Sequence, residues 1–152
     1  MPAAAAGASR FTRMNTAIPP DTAPWRHLRV WQAIGVVLIA AVVWESLTPH
    51  PIKVDFEQSD KYGHAFVYFV LMLWHAQLYP TLRARAGWAL GLVAMGVALE
   101  FLQRLTETRS FEIADMVADG IGVALGFLAA PPRTPNVLRR VDSILEARRR
   151  RA

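Results

Sequence analysis

The sequence predicts an all-α fold, a bundle of four transmembrane helices with both termini in the cytoplasm. First, four apolar stretches occupy residues 30–47, 62–79, 87–102 and 113–130. Each is close to the roughly 20 residues that a helix needs to cross a bilayer at about 1.5 Å per residue. Second, prolines lie between these stretches and never within one, where they would break a helical hydrogen bond. Third, the basic residues concentrate in alternate connections, which sets the orientation.

The composition favours a membrane protein over a soluble bundle. Apolar residues make up 53% of the chain and the mean hydropathy is +0.23. A soluble helix shows a polar stripe, whereas residues 33–44 and 66–74 are apolar on every face. The chain has no cysteine, which excludes disulfides, thiolate metal sites and a cysteine nucleophile. The net charge of +5 comes without an aromatic–basic recognition motif, so no nucleic-acid partner is expected.

Three segments follow from this pattern. Residues 1–24 lack the apolar core of a signal peptide and are predicted to be a disordered cytoplasmic tail. Residues 25–132 form the membrane domain, and residues 133–152 form a basic cytoplasmic tail. Apolar residues recur in this last tail at helical spacing, at Val137, Leu138, Val141, Ile144 and Leu145. Two interpretations stay open: an amphipathic helix on anionic lipid, or a solvated basic tail.

The basic residues predict the orientation of the helices. Thirteen of the 17 fall in the N-terminal flank, in the loop after the second stretch, which carries Arg83 and Arg85, and in the C-terminal tail. With four spans, these three regions share one face. The other face holds only Lys53, Lys61, Arg104 and Arg109. The positive-inside rule therefore predicts a multi-pass protein of the bacterial inner membrane with cytoplasmic termini.

Ionisable residues are costly inside a span, and in this orientation nearly all of them meet at the extracytoplasmic end of the bundle. Asp60, His64 and Tyr68 follow an i, i+4, i+8 spacing that places them on one helix face. We predict a polar cluster, which is either a ligand-binding site or a structural contact between helices, of Asp60, Lys61, His64, Tyr68, Glu100, Gln103, Arg109, Asp115 and Asp119. Whether Glu45 and His75 join this cluster is left open.

Small residues predict close helix packing. Gly122 and Gly126 are four residues apart on the same face of the fourth stretch as Asp115 and Asp119. Gly87 and Gly91 form a second pair with the same spacing. Such pairs let helix backbones approach each other closely in membranes.

The ordered set of motifs resembles the VanZ-like family of small bacterial membrane proteins. The motifs are Asp60-Lys61-x-x-His64-x-x-x-Tyr68, Glu100-x-x-Gln103, and Arg109 followed by Asp115, Gly122 and Gly126. The resemblance covers about residues 30–130. It implies four spans and a shared polar cluster, and a link to the cell envelope, because the family is named after a member associated with resistance to the glycopeptide teicoplanin. Most members have no assigned biochemical activity. Position 119 departs from the family, which typically has Asn where this chain has Asp119.

Three functions of the polar cluster are compatible with the sequence. The leading hypothesis is a site for an envelope lipid or a cell-wall glycan precursor, with arginine and lysine binding phosphate or carboxylate groups. The second is an enzyme that uses His64 with nearby carboxylates as a general base, so whether the protein is an enzyme stays open. The third is a structural polar lock in a partner-binding protein. A proton path ranks below these, because the cytoplasmic half of the spans is poor in polar residues.

No cofactor is expected, and no metal site is assigned. Membrane lipids are the expected surroundings of the helices. The oligomeric state is left open, with a homodimer as one option for so slim a bundle.

Overall fold

A computed structural model of the chain describes residues 24–48, 59–105 and 112–151, with the backbone alone for residues 59 and 60. These residues form five α-helices and no strand. The helices are α1 (Leu28–Leu47), α2 (Ser59–Leu78), α3 (Leu82–Leu105), α4 (Ile113–Leu128) and α5 (Val137–Arg149). The prediction of an all-helical protein is confirmed. The predicted tail of residues 1–24 lies outside the described residues except for its last position.

Two of the helices are long and apolar enough to cross a membrane. They are α1, with a mean hydropathy of 1.8 over its best window, and α3, with 1.5. Only 11% of the α1 window and 28% of the α3 window is buried within the protein. The core helix of a soluble protein would instead be mostly covered. This placement suggests a membrane location, although length and composition alone do not extend it to α2 and α4.

The other two predicted spans, α2 and α4, do not meet the length and hydropathy expected of a membrane span, for different reasons. With 16 residues, α4 covers about 24 Å at 1.5 Å per residue, less than the hydrocarbon core of a bilayer. In α2, ionisable and amide side chains lower the hydropathy, and four of its residues from Tyr68 to Ala76 form most of the hydrophobic core. Because α2 packs against every other helix, it lies at the centre of the fold.

The third helix begins earlier than predicted. Arg83 and Arg85 were placed in a loop before a stretch starting at residue 87, but both belong to the first turn of α3. The side chain of Thr81 explains the difference, because its hydroxyl accepts a hydrogen bond from the Ala84 backbone N–H at 3.3 Å. This interaction caps the helix five residues before its apolar part.

Two glycines let α4 lie directly on the backbone of α2. A Cβ atom added at Gly122 would overlap the carbonyl oxygen of Ala65, and one added at Gly126 would lie 2.6 Å from the carbonyl oxygen of Phe69. The second glycine pair behaves differently, since a Cβ at Gly87 or Gly91 would have no neighbouring atom within 4 Å. Of the two predicted glycine pairs, only Gly122 and Gly126 therefore mark a close approach of two helix backbones.

The fifth helix is fixed to one end of the bundle, which we call the α5 end. The carboxylate of Asp142, 1% exposed, accepts hydrogen bonds from the backbone N–H groups of Arg26 at 2.7 Å and His27 at 3.0 Å. It also accepts one from the indole N–H of Trp31 at 2.9 Å, and the His27 ring lies 3.0 Å away. The start of α1 therefore holds the middle of α5.

Candidate functional site

The opposite end of the bundle, which we call the polar end, holds most of the predicted site residues. The last turns of α1 and α3 and the first turns of α2 and α4 meet there. The alternating directions of four successive helices bring these turns together. The side chains of Glu100, Gln103, Asp115 and Asp119 are all buried there, at 3–6% exposure.

The centre of the site is a hydrogen-bonded group formed by α2 and α4. The Nδ1 atom of His64 lies 3.0 Å from Oδ1 of Asp119. The hydroxyl of Tyr68, one turn further along α2, also donates a hydrogen bond to Asp119. Because Asp119 accepts from both residues, it links the two successive turns of α2 to one carboxylate of α4.

The other ring nitrogen of His64 faces a second carboxylate. Its Nε2 atom lies 3.9 Å from Oδ2 of Asp115, which is an ion-pair distance rather than a hydrogen bond. The imidazole therefore lies between Asp115 and Asp119, one turn apart on α4. The ring is therefore positioned by carboxylates on both sides.

An ion pair lies at the solvent-accessible edge of the site. The Nζ atom of Lys61 lies 3.0 Å from Oε2 of Glu112, and the two side chains are 41% and 42% exposed. By comparison, the His64 side chain is 18% exposed and that of Asp119 is 6% exposed. The Lys61–Glu112 pair thus forms an accessible rim of the polar end, whereas Asp119 lies in its interior.

Two buried side chains of α3 form hydrogen bonds with backbone groups at the ends of neighbouring helices. Glu100 accepts a hydrogen bond from the backbone N–H of Glu112 at 2.5 Å, at the start of α4. The amide of Gln103 donates to the carbonyl oxygen of Ser46 at 2.8 Å, in the last turn of α1. Helix ends leave such backbone groups without partners inside the helix. Both residues therefore connect α3 to its neighbours at the polar end.

A missing side chain makes room for Asp119. A Cβ atom at Gly96 of α3 would lie 2.5 Å from Oδ2 of Asp119 and 3.2 Å from the Tyr68 hydroxyl. The glycine at this position therefore leaves room for the Asp119 carboxylate and the Tyr68 hydroxyl beneath α3. Gly96 was not among the predicted site residues, and the signal for it in the sequence is its position one turn before Glu100.

The structure does not place every predicted residue in the site. Arg109 lies outside the described residues, as does the side chain of Asp60. His75 is far from the polar end: its Nδ1 donates to the Leu71 carbonyl oxygen at 2.8 Å and its ring stacks on Trp88. Glu45, in the last turn of α1, is half-buried. Glu112 belongs to the rim although it was not among the predicted site residues.

The described residues hold no group of three or more histidine, aspartate or glutamate side chains arranged to bind a metal ion. His64, Asp115 and Asp119 are close in space but face one another as ion and hydrogen-bond partners. The arrangement can offer a polar ligand several carboxylate acceptors, the ammonium group of Lys61 and the imidazole of His64.

Comparisons with known proteins identify no relative of this chain. No family model matches the chain, and neither a curated protein nor a solved structure is similar to it.

Proposed function

We propose that the protein is an integral membrane protein with four spans, α1 to α4, and that both termini are cytoplasmic. The observation that carries this proposal is the inverted pattern of α4. Its carboxylates Asp115 and Asp119 are buried, whereas five of its large apolar side chains are about half exposed or more and Val123 is buried. These exposed residues are Ile113, Val117, Ile121, Leu125 and Leu128. Water would favour the reverse arrangement, and lipid favours this one.

The short length of α4 is compatible with this proposal. A span shorter than the hydrocarbon core is accommodated by thinning of the bilayer or by polar residues at its ends. The central helix α2 is shielded from lipid on several sides by its neighbours, so it tolerates polar residues that a lipid-exposed span does not.

Thiol labelling tests the topology, because the chain contains no cysteine of its own. Leu105→Cys lies at the polar end and is 78% exposed, whereas Ala147→Cys lies on the exposed surface of α5. In intact bacteria, we expect a membrane-impermeant maleimide to label Leu105→Cys, and to label Ala147→Cys only after permeabilisation. The cysteine-free parent is the control. The opposite pattern would reverse the orientation, and labelling of both in intact cells would contradict α4 as a membrane span.

For the polar end, we propose a binding site for the headgroup of an envelope lipid or lipid-linked cell-wall precursor, as the resemblance to VanZ-like proteins implies. The support is the gradient from rim to interior. The half-exposed Lys61 suits a phosphate, and Glu112 suits a hydroxyl, amide or ammonium donor. A ligand carrying both kinds of group replaces the Lys61–Glu112 pair contact for contact. A link to glycopeptide resistance follows from sequestration or altered handling of such a precursor.

Native mass spectrometry of the protein in mild detergent tests this binding site. We expect the parent to retain a lipid-linked ligand and Lys61→Gln to lose it by about tenfold or more, since a charged hydrogen bond contributes about 1.5–3 kcal/mol. Glu146→Gln is the control, because that carboxylate lies on α5 and pairs with Arg150 at 2.9 Å. Equal retention by Lys61→Gln and the parent would contradict the proposal.

The same experiment separates binding from a purely structural lock. Asp119→Asn keeps the size of the side chain but removes a charge that His64 faces at 3.0 Å. A binding site predicts a ligand on the parent that Asp119→Asn loses. A lock predicts a lower unfolding temperature and no ligand on the parent.

An enzyme is the less favoured alternative. A general base needs one ring nitrogen directed at the substrate. In His64, Nδ1 faces Asp119 and Nε2 faces Asp115, so both nitrogens are directed at carboxylates.

A further inference from the structure

We infer that α5 is a membrane-surface helix that binds the anionic phospholipid headgroups beside the α5 end. The inference goes beyond the ligand site at the polar end and rests on the proposed membrane embedding of α1 to α4. It concerns a different surface and a different class of ligand. Four observations support it: where α5 is attached, how it is directed, which side chains it exposes, and which charges surround them.

The attachment places α5 at the level where two apolar helices end. The side chain of Asn136 donates to the carbonyl oxygen of Gln77 at 2.8 Å, in the last turn of α2. The backbone N–H of Leu138 donates to the Gln77 side chain at 3.1 Å. One turn later, Asp142 binds the start of α1. In a membrane-embedded bundle, these helix ends define the boundary between hydrocarbon and headgroups.

The direction of α5 follows from the same contacts. The helix touches α2 at Leu138 and α1 at Asp142, which are separated by about 6 Å at 1.5 Å per residue. Packed helix axes are about 8–10 Å apart. A helix that moves from one neighbour to the other within one turn crosses the end of the bundle rather than extending away from it. This direction is parallel to the membrane surface.

The exposed side of α5 carries an apolar stripe next to the docked side. Val137 is 55% exposed and Ile144 is 52% exposed, and Val141 and Leu145 are also exposed. Their spacing of four, three and one residues places them on one face of the helix. Leu138, which is buried against the bundle, adjoins this face. The stripe thus continues the apolar surface that Leu138 buries against the bundle. In a membrane-embedded protein, the acyl chains of lipids would cover it.

Arginine side chains border the stripe. Arg140 lies on one side of it, Arg149 on the other, and Arg148 at its end, and all three are exposed. Arg139, on the far side of α5, is directed back to the start of α1, 5.2 Å from the centre of the Trp25 ring. An apolar stripe between arginines is the pattern of a helix that inserts its apolar side chains among lipids and binds their phosphates. This charge pattern selects an anionic membrane surface over a second copy of the equally basic chain.

Spin-label accessibility in the reconstituted full-length chain tests the inference. We place one label at Ile144→Cys on the stripe and, as a matched control, one at Ala147→Cys on the same helix away from it. A third label at Val37→Cys, on the exposed face of α1, reports whether α1 lies in lipid. The vesicles contain phosphatidylcholine alone, or equal parts of phosphatidylcholine and phosphatidylglycerol.

In the anionic vesicles, we expect the Ile144 label to be accessible to oxygen and protected from a water-soluble nickel complex, with the Ala147 label showing the reverse. The double substitution Arg140→Gln and Arg148→Gln is expected to make the Ile144 label more accessible to water. Vesicles of phosphatidylcholine alone are expected to have the same effect. An Ile144 label that is water-accessible in both vesicles would overturn the inference. So would protection from both reagents with spin–spin broadening, which indicates a second copy.

The Val37 label distinguishes the two proposals. If it lies in lipid while the Ile144 label lies in water, only the inference about α5 fails. If the Val37 label is also in water, the proposed membrane embedding fails, and the inference fails with it.

Discussion

Gly122→Ala is expected to lower the unfolding temperature of the detergent-purified protein substantially. The added methyl group would overlap the Ala65 carbonyl oxygen, which belongs to the backbone of α2. A backbone atom cannot rotate away as a flexible side chain can, so α2 and α4 must separate. Overpacking of this kind costs about 1–3 kcal/mol. Because α2 and α4 make the most extensive contact in the fold, the loss affects the whole bundle.

The matched control is Gly91→Ala. Its added Cβ has no neighbour within 4 Å, so the same chemical change meets open space in the middle of α3. We expect no loss of stability, and a gain of up to about 1 kcal/mol from the better helix propensity of alanine. Unfolding followed by tryptophan fluorescence during heating compares the two variants with the parent. Equal unfolding temperatures for Gly122→Ala and Gly91→Ala would show that α4 does not lie on the α2 backbone.

Asp142→Ala is expected to release α5 from the bundle. The carboxylate accepts from two backbone N–H groups and from the Trp31 indole, and it contacts the His27 ring. Removing the acceptor costs about 1–3 kcal/mol for a donor left without a partner. Hydrogen–deuterium exchange across residues 137–149 measures the effect, with an increase of about tenfold or more expected from an energy of this size.

The control for this variant is Glu146→Ala on the same helix. Its carboxylate bonds with Arg150 within α5 rather than with α1, so we expect the exchange of α5 to stay close to that of the parent. Similar increases in both variants would mean that any lost acid loosens α5. The specific attachment through Asp142 would then be contradicted.

The pH dependence of the attachment has a definite sign. Burial raises the pKa of Asp142, but hydrogen bonds from Arg26, Trp31 and His27 outweigh it and bring the pKa below its ordinary value of 3.8. A carboxyl group with a lowered pKa in the folded state contributes stability above its unfolded pKa, and this contribution is lost as the pH falls through the folded value. We expect α5 to stay protected between neutral pH and about pH 5, after correction for intrinsic exchange, and to open only in stronger acid.

The helical class and the approximate position of each helix could be predicted from the sequence. Long apolar stretches and the prolines between them are local features, and they predicted all four bundle helices to within a few residues of most ends. The start of α3 was predicted too late, because the capping hydroxyl of Thr81 overrides the polarity of Arg83 and Arg85. Hydropathy also could not show which helix is central, since that depends on which faces the neighbours cover.

Part of the candidate site was also predictable. Helical spacing placed His64 and Tyr68 on one face of α2 and Asp115 and Asp119 on one face of α4. It could not pair them, because the pairing depends on the register between two helices. Gly122 and Gly126 fix that register by letting the backbones approach.

The sequence alone therefore determined which segments are helical, where charge gathers, and which residues share a helix face. The tertiary structure alone decided that Asp119 contacts both His64 and Tyr68 and that Gly96 leaves room for the Asp119 carboxylate. It also decided that Asp142 attaches α5 to the start of α1. The physical reason is the range of the forces involved. Propensity, capping and hydropathy act between neighbours in the chain, whereas the hydrogen bonds between residues 27 and 142 exist only once the helices have packed.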